Sequence, residues 1–221
     1  MIELEAARRH SVLDVTEAAD GIYWLKLSRE GLDFAPGDCV ALYGADGGSR
    51  PYSIASGVGD DFLLFLIRAF ADGKVSPWLC SREVGEKIGV SEPFGWFRPG
   101  QTEEGERAVF LATGTGIAPF LAYRRSLPQQ PPFKILYGAR GLQQAAGREL
   151  LDGWCDVLLA LSREPQAGYH HGRIGDLLEA LPDTPETHYY LCGHAGMIRE
   201  IGAALDLRGV PIFRVHREVF F

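Results

Sequence analysis

The stretch Ala108-Val109-Phe110-Leu111-Ala112-Thr113-Gly114-Thr115-Gly116-Ile117-Ala118-Pro119-Phe120 decides the fold of the second half of the chain. A short, fully apolar run reads as a strand buried on both faces. A turn with glycines at 114 and 116 follows at once. Pro119, which has no amide to donate, suits the first turn of the helix expected next. Strand, glycine turn and helix in direct succession bring the free amides of a helix start up to a phosphate. The spacing G-x-G-x-x-P lacks the third glycine of the common dinucleotide fingerprint and the lysine of a P-loop, so a plain strand-turn-helix junction stays open beside a nucleotide loop.

Downstream the pattern recurs. Apolar runs at 133–137, 155–161, 189–192 and 212–216 read as strands, and helix-like segments run through 120–125, 148–151 and from Ala195 onward. Buried strands spaced in this way call for a parallel sheet covered on both faces, the plan of a nucleotide-binding α/β domain. Upstream, the runs 21–27, 39–43, 52–55 and 62–68 are separated by Pro36-Gly37 and Asp46-Gly47-Gly48 and read as a small antiparallel barrel or sandwich. Only 75–80, introduced by Asp72-Gly73-Lys74, looks helical there. The polar, glycine-bearing stretch 98–106 divides the two periodicities, which gives an antiparallel β-barrel over 1–100 and an α/β parallel-sheet domain over 101–221.

Composition excludes several classes. With 221 residues, 46% hydrophobic and 23% charged, the chain is neither disordered nor a coiled coil, and its 27 glycines call for many tight turns. A net charge of −7 disfavours a nonspecific nucleic-acid binder. The four cysteines, at 39, 80, 155 and 192, lie too far apart for a local zinc or iron–sulfur motif, and the six histidines form no H-E-x-x-H pattern, so no metal site is expected. Charges interrupt every long apolar run, so neither a membrane span nor a leader is expected, and a reducing cytoplasm is the expected setting.

Four groups of residues could carry chemistry. In Arg50-Pro51-Tyr52-Ser53 an arginine can neutralise a phosphate, a tyrosine can stack on a planar heterocycle and a serine can hydrogen-bond a ring nitrogen or oxygen. Gly73-Lys74-Val75-Ser76 offers donors to an anion. After the strand ending at Tyr137 the chain reads Gly138-Ala139-Arg140, with no carboxylate for the ribose hydroxyls of NAD, and Ser162, Arg163 and Arg173 supply hydroxyl and guanidinium groups farther on. Cys192-Gly193 ends another strand, and Glu218, Phe220 and Phe221 close the chain, where the aromatic pair reads equally as core packing or as a lid.

Together these segments resemble the ferredoxin-NADP reductase family over almost the whole chain. Arg50, Tyr52 and Ser53 match its R-x-Y-S flavin signature, and Gly73 and Ser76 match the segment around the flavin pyrophosphate. Gly114, Thr115, Gly116, Ala118 and Pro119 match its pyridine-nucleotide loop, and Cys192-Gly193 matches its nicotinamide-side C-G. The resemblance implies FAD and NADP(H) as cofactors. Arg50 and Ser76 would hold the FAD pyrophosphate, Tyr52 would pack on the isoalloxazine, and Ser53, Cys192 and Glu218 would stand at the reacting centre. Ser162 and Arg163 look like the pair that binds the 2′-phosphate of NADP, with Arg173 a second basic contact. Phe220 takes the place of the family's tyrosine, and Phe221 resembles the aromatic extension of certain bacterial members.

The implied activity is electron transfer between NADPH and a separate one-electron carrier, ferredoxin or flavodoxin. Reduction of a free flavin, a quinone or an oxygenase component is the alternative, with a nonenzymatic electron-transfer subunit behind it. Residues 1–100 carry 10 basic and 15 acidic side chains and residues 101–221 carry 12 and 14, so neither half advertises a basic docking face.

Overall fold

A computed structural model describes residues 7–181 and 185–220. The first six strands form an antiparallel sheet: β1 (Arg8–Ala19), β2 (Ile22–Ser28), β3 (Cys39–Tyr43), β4 (Ser49–Ser53), β5 (Phe62–Arg68) and β6 (Lys87–Val90), in the order β4-β3-β6-β1-β2-β5. The long β1 joins two halves of this sheet, since Arg8 to Ser11 pair with β6 and Val12 to Ala19 with β2. The two edge strands meet where the Ala55 amide donates to the Leu64 carbonyl at 2.7 Å, closing the sheet towards a barrel. Its interior holds Val12, Leu25, Leu27, Val40, Leu42, Phe65 and Ile67. A short helix, α1 (Val75–Cys80), follows β5 and turns Val75 and Leu79 into that interior.

The remaining strands, β7 (Arg107–Thr113), β8 (Lys134–Ala139), β9 (Val157–Leu161), β10 (His170–His171), β11 (Thr187–His194) and β12 (Val215–Phe220), form a parallel sheet in the order β10-β9-β8-β7-β11-β12. A 3-10 turn over Gly114–Ile117 leads from β7 into α2 (Ala118–Ser126), which has a proline in its first turn, and α3 (Ala195–Leu207) follows β11. The segment expected to be helical at 148–151 is a 3-10 turn, and a second 3-10 turn, over Ile174–Ala180, follows β10. The last strand is displaced from its expected place. Ile212 and Phe213 lie in a 3-10 turn with 79% and 67% of their surface exposed, and the strand begins only at Val215. An apolar pair at the surface imitated a buried strand.

The two sheets share a core. On β5, Leu63, Phe65 and Ile67 point into the barrel while Leu64 and Leu66 face the other way, into a cluster with Phe110, Phe120, Tyr137 and Tyr190 of the parallel-sheet half. That is why β5 is apolar on both faces, as parallel strands usually are. The polar stretch after residue 97 is anchored. Phe97 is 4% exposed, with its ring edge-on to Phe120 at 5.8 Å and to Tyr190 at 6.0 Å, and the Tyr190 hydroxyl donates to the Gln101 carbonyl at 2.7 Å.

Candidate functional site

Between the sheets lies a cavity of ≈ 870 Å3. One wall is formed by the C-terminal ends of β7, β8, β9, β11 and β12, and the opposite wall by β4, the end of β5 and the turn before α1. Strand order explains the first wall. The chain runs outward from β7 to β8 and β9, then crosses back to β11 on the other side of β7, and ligands bind in the crevice at such a reversal.

The crevice is narrow because two glycines let the turn after β7 touch the end of β11. A Cβ at Gly193, whose φ is +135°, would stand 2.8 Å from the Thr113 carbonyl oxygen, and one at Gly116 would stand 2.6 Å from the Cys192 carbonyl carbon. The His194 amide donates to the Thr113 hydroxyl at 3.1 Å across the same contact. Gly114 (φ +54°), Thr115 and Gly193 line the cavity. Gly116, Pro119 and Cys192 are buried behind it and shape the turns from inside.

The barrel supplies the facing residues through one hairpin. β3 and β4 pair with Cys39 opposite Ser53 and Val40 opposite Tyr52. Ser53 is buried, its Oγ 3.3 Å from Cys39 Sγ, and the Cys39 thiol donates to Glu218 Oε1 at 2.8 Å. Burial, reinforced by the Glu218 charge, pushes the thiol up to about 12, so it stays a donor. Burial also raises the Glu218 carboxyl above the ordinary carboxylate range, against the Cys39 hydrogen bond and the Arg98 charge, which favour ionisation. Arg98 is itself held by Asp38 at 2.8 Å. Cys192 lies buried close by, and its thiol is raised by burial and by the charge of Glu218.

Tyr52 is half-buried on the cavity wall. The Arg50 guanidinium is exposed, donates to the Ser49 carbonyl at 2.8 Å, and pairs with no carboxylate among the described residues. Gly73, Lys74, Val75 and Ser76 line the same wall. A Cβ at Gly73 would crowd the Phe70 carbonyl at 3.1 Å and Ser76 Oγ at 3.3 Å, and the Phe70 amide donates to that serine oxygen at 3.3 Å.

At the far end of the parallel-sheet wall stand Arg140, Ser162 and Arg173. The Ser162 hydroxyl donates to the Ala139 carbonyl at 3.3 Å, and Arg173 pairs with Glu200 at 3.2 Å. Arg163 is exposed beside Ser162 and is not among the residues that line the cavity. Phe220 lines it from β12, where it pairs with His194 and packs against the core shared by the sheets. It is a strand residue rather than part of a free tail, and Phe221 lies outside the described residues. The sequence reading missed Cys39 and His194 as site residues. The hairpin register that sets Cys39 opposite Ser53 was the available signal for the first.

The family model for an oxidoreductase NAD-binding domain matches residues 110–202, from the middle of β7 into α3. The flavodoxin/ferredoxin–NADP reductase of Escherichia coli is 30% identical over 212 residues, covering 86% of each chain. This chain belongs to the ferredoxin-NADP reductase family. As a member it also resembles reductases with other partners. The ferredoxin–NAD(P)+ reductase component of the naphthalene dioxygenase and salicylate hydroxylase systems of a Ralstonia species is 26% identical over 224 residues, covering 96% of this chain and 68% of that one. In fold it resembles the ferredoxin NADP+ reductase of Neisseria gonorrhoeae, with a TM-score of 0.89 over 98% of this chain and 99% of that one at 22% identity. Two sheets joined across one cavity are thus the architecture of the ferredoxin-NADP reductase family.

Proposed function

We propose that this chain is an FAD-dependent oxidoreductase that moves electrons between NADPH and a one-electron carrier, ferredoxin or flavodoxin. One observation carries the reading: Arg50 to Ser53 and Gly73 to Ser76 from the barrel share a single cavity with Gly114, Thr115 and Gly193 from the parallel sheet. Residues 1–100 are taken as the flavin-binding part and 101–221 as the coenzyme-binding part.

The barrel wall suits a flavin dinucleotide. A guanidinium without a carboxylate, a turn at Gly73 with room for little more than hydrogen, and a half-buried tyrosine answer to its phosphates and its ring system. In this reading Arg50, Lys74 and Ser76 hold the pyrophosphate, Gly73 and Val75 shape the turn beneath it, and Tyr52 stacks on the isoalloxazine. Bound FAD would supply the redox chemistry, taking two electrons together and giving them up singly.

The chain's own residues prepare the place. Ser53 holds Cys39, and Cys39 orients the Glu218 carboxyl by donating to Oε1 at the seam, where burial raises the carboxyl's affinity for a proton. Gly193 lets the nicotinamide end approach the backbone, with Cys192 packed beneath. Gly114, Thr115 and Gly116 form the coenzyme turn and Pro119 starts the helix behind it. In this reading Ser162 and Arg173 stand at the 2′-phosphate end with Arg163 exposed beside them, Arg140 lies one strand inward, and Phe220 screens the site from water. Four free cysteines suit a reducing cytoplasm, which belongs to the same reading. No helix among the described residues is long and apolar enough to cross a membrane.

Extraction of flavin, with its mass and stoichiometry, tests the cofactor. One FAD per chain is expected, and FMN or an absence of flavin after reconstitution would reject it. The likeness to the Ralstonia reductase component favours a second reading, delivery to an oxygenase system. NADPH oxidation measured with ferredoxin, flavodoxin, free flavin, quinone and oxygenase components separates the two.

A further inference from the structure

At the end of the parallel sheet remote from the cavity, two histidines stand in contact. His188, the second residue of β11, and His216, the second of β12, bring Nδ1 of the first and Nε2 of the other to 3.0 Å. Glu106 Oε2 stands 3.1 Å from His188 Nε2, and Glu106 Oε1 stands 3.3 Å from Nη2 of Arg214, in the turn before β12. The Tyr190 ring stacks on His216 with centroids 4.4 Å apart and planes 11° from parallel. Glu106 from the connecting stretch, Arg214 from the turn and Tyr190 from β11 are the charged and titratable groups that face the two imidazoles. None of these residues lines the cavity.

The array fastens residues 98–106, the stretch through which the chain passes from barrel to parallel sheet. Glu106 closes that stretch, and its Oε2 also accepts the Glu103 amide at 2.9 Å. Tyr190, backed by His216, donates its hydroxyl to the Gln101 carbonyl and meets the edge of Phe97. Phe97, Gln101 and Glu106 are thus held to β11 and β12 by one stack of rings and one carboxylate.

Proton counting sets what the array tolerates. The nitrogen that faces a carboxylate carries the hydrogen, so neutral His188 is protonated at Nε2 and presents a lone pair at Nδ1. His216 then donates from Nε2, and the contacts are satisfied with both rings neutral. One added proton is also accommodated. His188 donates from both nitrogens, His216 moves its hydrogen to Nδ1 and accepts, and Glu106 balances the charge. A second added proton sets two N–H groups face to face at 3.0 Å on two charged rings, with the Arg214 guanidinium adding to the repulsion. Burial, with the His188 charge behind it, holds the His216 imidazole below its ordinary value of 6.5.

We propose that Glu106, His188 and His216 form an acid-sensitive clasp: a second proton in the pair parts the rings and releases residues 98–106 from the parallel sheet. A parted imidazole takes up its proton at the ordinary value, whereas the clasped one resists it. The clasp is therefore firm above about pH 6.5 and loosens as pH falls below it. The cavity draws one wall from each half of the chain, so acid weakens one of the ties between its walls. The device needs neither flavin nor coenzyme.

Amide hydrogen exchange across the full chain tests it, at about pH 7.5 and about pH 5, corrected for the intrinsic effect of pH on exchange, in wild type and in His216→Gln. Glutamine keeps a donor for His188 Nδ1 and has no titrating ring. In the wild type, exchange in 98–106, the Glu103 amide included, should quicken at the lower pH by up to about thirtyfold, the ratio of charged to neutral imidazole there. Peptides from β1 and β8 should keep their protection, and His216→Gln should show no acid-dependent change in 98–106. Protection of 98–106 that ignores pH in the wild type would overturn the clasp. So would an acid loss of the same size in His216→Gln, or one spread evenly over both sheets. If His216→Gln does not fold, His216→Phe, which keeps a ring against Tyr190, decides by the same comparison.

Discussion

Cys39 and Glu218 lie 179 residues apart in the chain, on strands of different sheets, and the thiol of one donates to the carboxyl of the other at 2.8 Å. The bond crosses the seam where the two walls of the cavity meet. It also opposes the burial that makes the Glu218 carboxyl hold its proton.

The sign of that shift sets a pH dependence. The folded chain keeps the Glu218 proton above the ordinary value of 4.5, whereas the unfolded chain releases it there. The folded state therefore binds more protons over that interval, and its stability falls as pH rises from the unfolded value through the folded one. Glu218→Gln has no such group. The melting temperature of the wild type should fall behind that of Glu218→Gln as pH climbs from acid towards neutrality, and Cys39→Ala should widen the gap by removing a donor to the ionised form. Parallel curves for wild type and Glu218→Gln would contradict the burial of an ionisable group there.

A second expectation concerns the contact between the turns. Gly193→Ala would place a Cβ 2.8 Å from the Thr113 carbonyl on a backbone at φ +135°. Gly153→Ala, at φ +71° with nothing within 4 Å, bears the conformational cost alone. That cost is roughly 1–3 kcal/mol for a side chain in sparsely populated backbone regions. Gly193→Ala should lose distinctly more thermal stability than Gly153→Ala, and it alone should lose coenzyme affinity. Equal losses in the two variants would show that the crevice has room to spare.

The two periodicities of the chain were legible because burial imposes them. β5 and β7 carry unbroken apolar runs since each is covered on both faces, and the Pro119 helix start follows from its missing amide. β1 was not recognised, although it is the longest strand. Its exposed positions alternate irregularly as it passes from β6 to β2, so Arg8, Asp14 and Glu17 interrupt any apolar run. The candidate residues were found in local clusters, such as Arg50 to Ser53, where spacing carries a signal. Cys39 sits singly in an ordinary strand, and only the docking of the two sheets brings it to Glu218.

Coenzyme choice gives a third prediction. Arg163 is exposed beside Ser162 and makes no ion pair among the described residues, whereas Arg173 is engaged with Glu200 at 3.2 Å. Arg163→Ala should weaken NADPH by about tenfold or more and leave NADH unchanged, since a charge-assisted bond is lost for one ligand only. Arg173→Ala should cost less, because its guanidinium must first leave an existing partner. Comparing the affinities of both coenzymes in both variants decides the matter, and equal losses of NADPH and NADH would point to general damage.

The last prediction turns on Phe220. Its backbone is held in the β12 ladder opposite His194, and its half-buried ring packs on the shared core while lining the cavity next to Glu218. A ring in that position can clear the nicotinamide end only by turning about its own side-chain bonds, since the strand that carries it is paired. Coenzyme binding therefore works against the packing of this ring on the core, and Phe220→Ser should tighten NADP+ by up to about tenfold. Tighter binding of the ground state need not lower the barrier, and slower release can reduce turnover even as affinity improves. Rapid mixing with NADPH under anaerobic conditions separates binding from the steps that follow, and a melting curve of each flavin-loaded protein checks that the packing loss is local. If affinity and reduction rate both match the wild type in a variant that retains its flavin, the ring is ordinary packing at the end of the last strand and the cavity needs no lid.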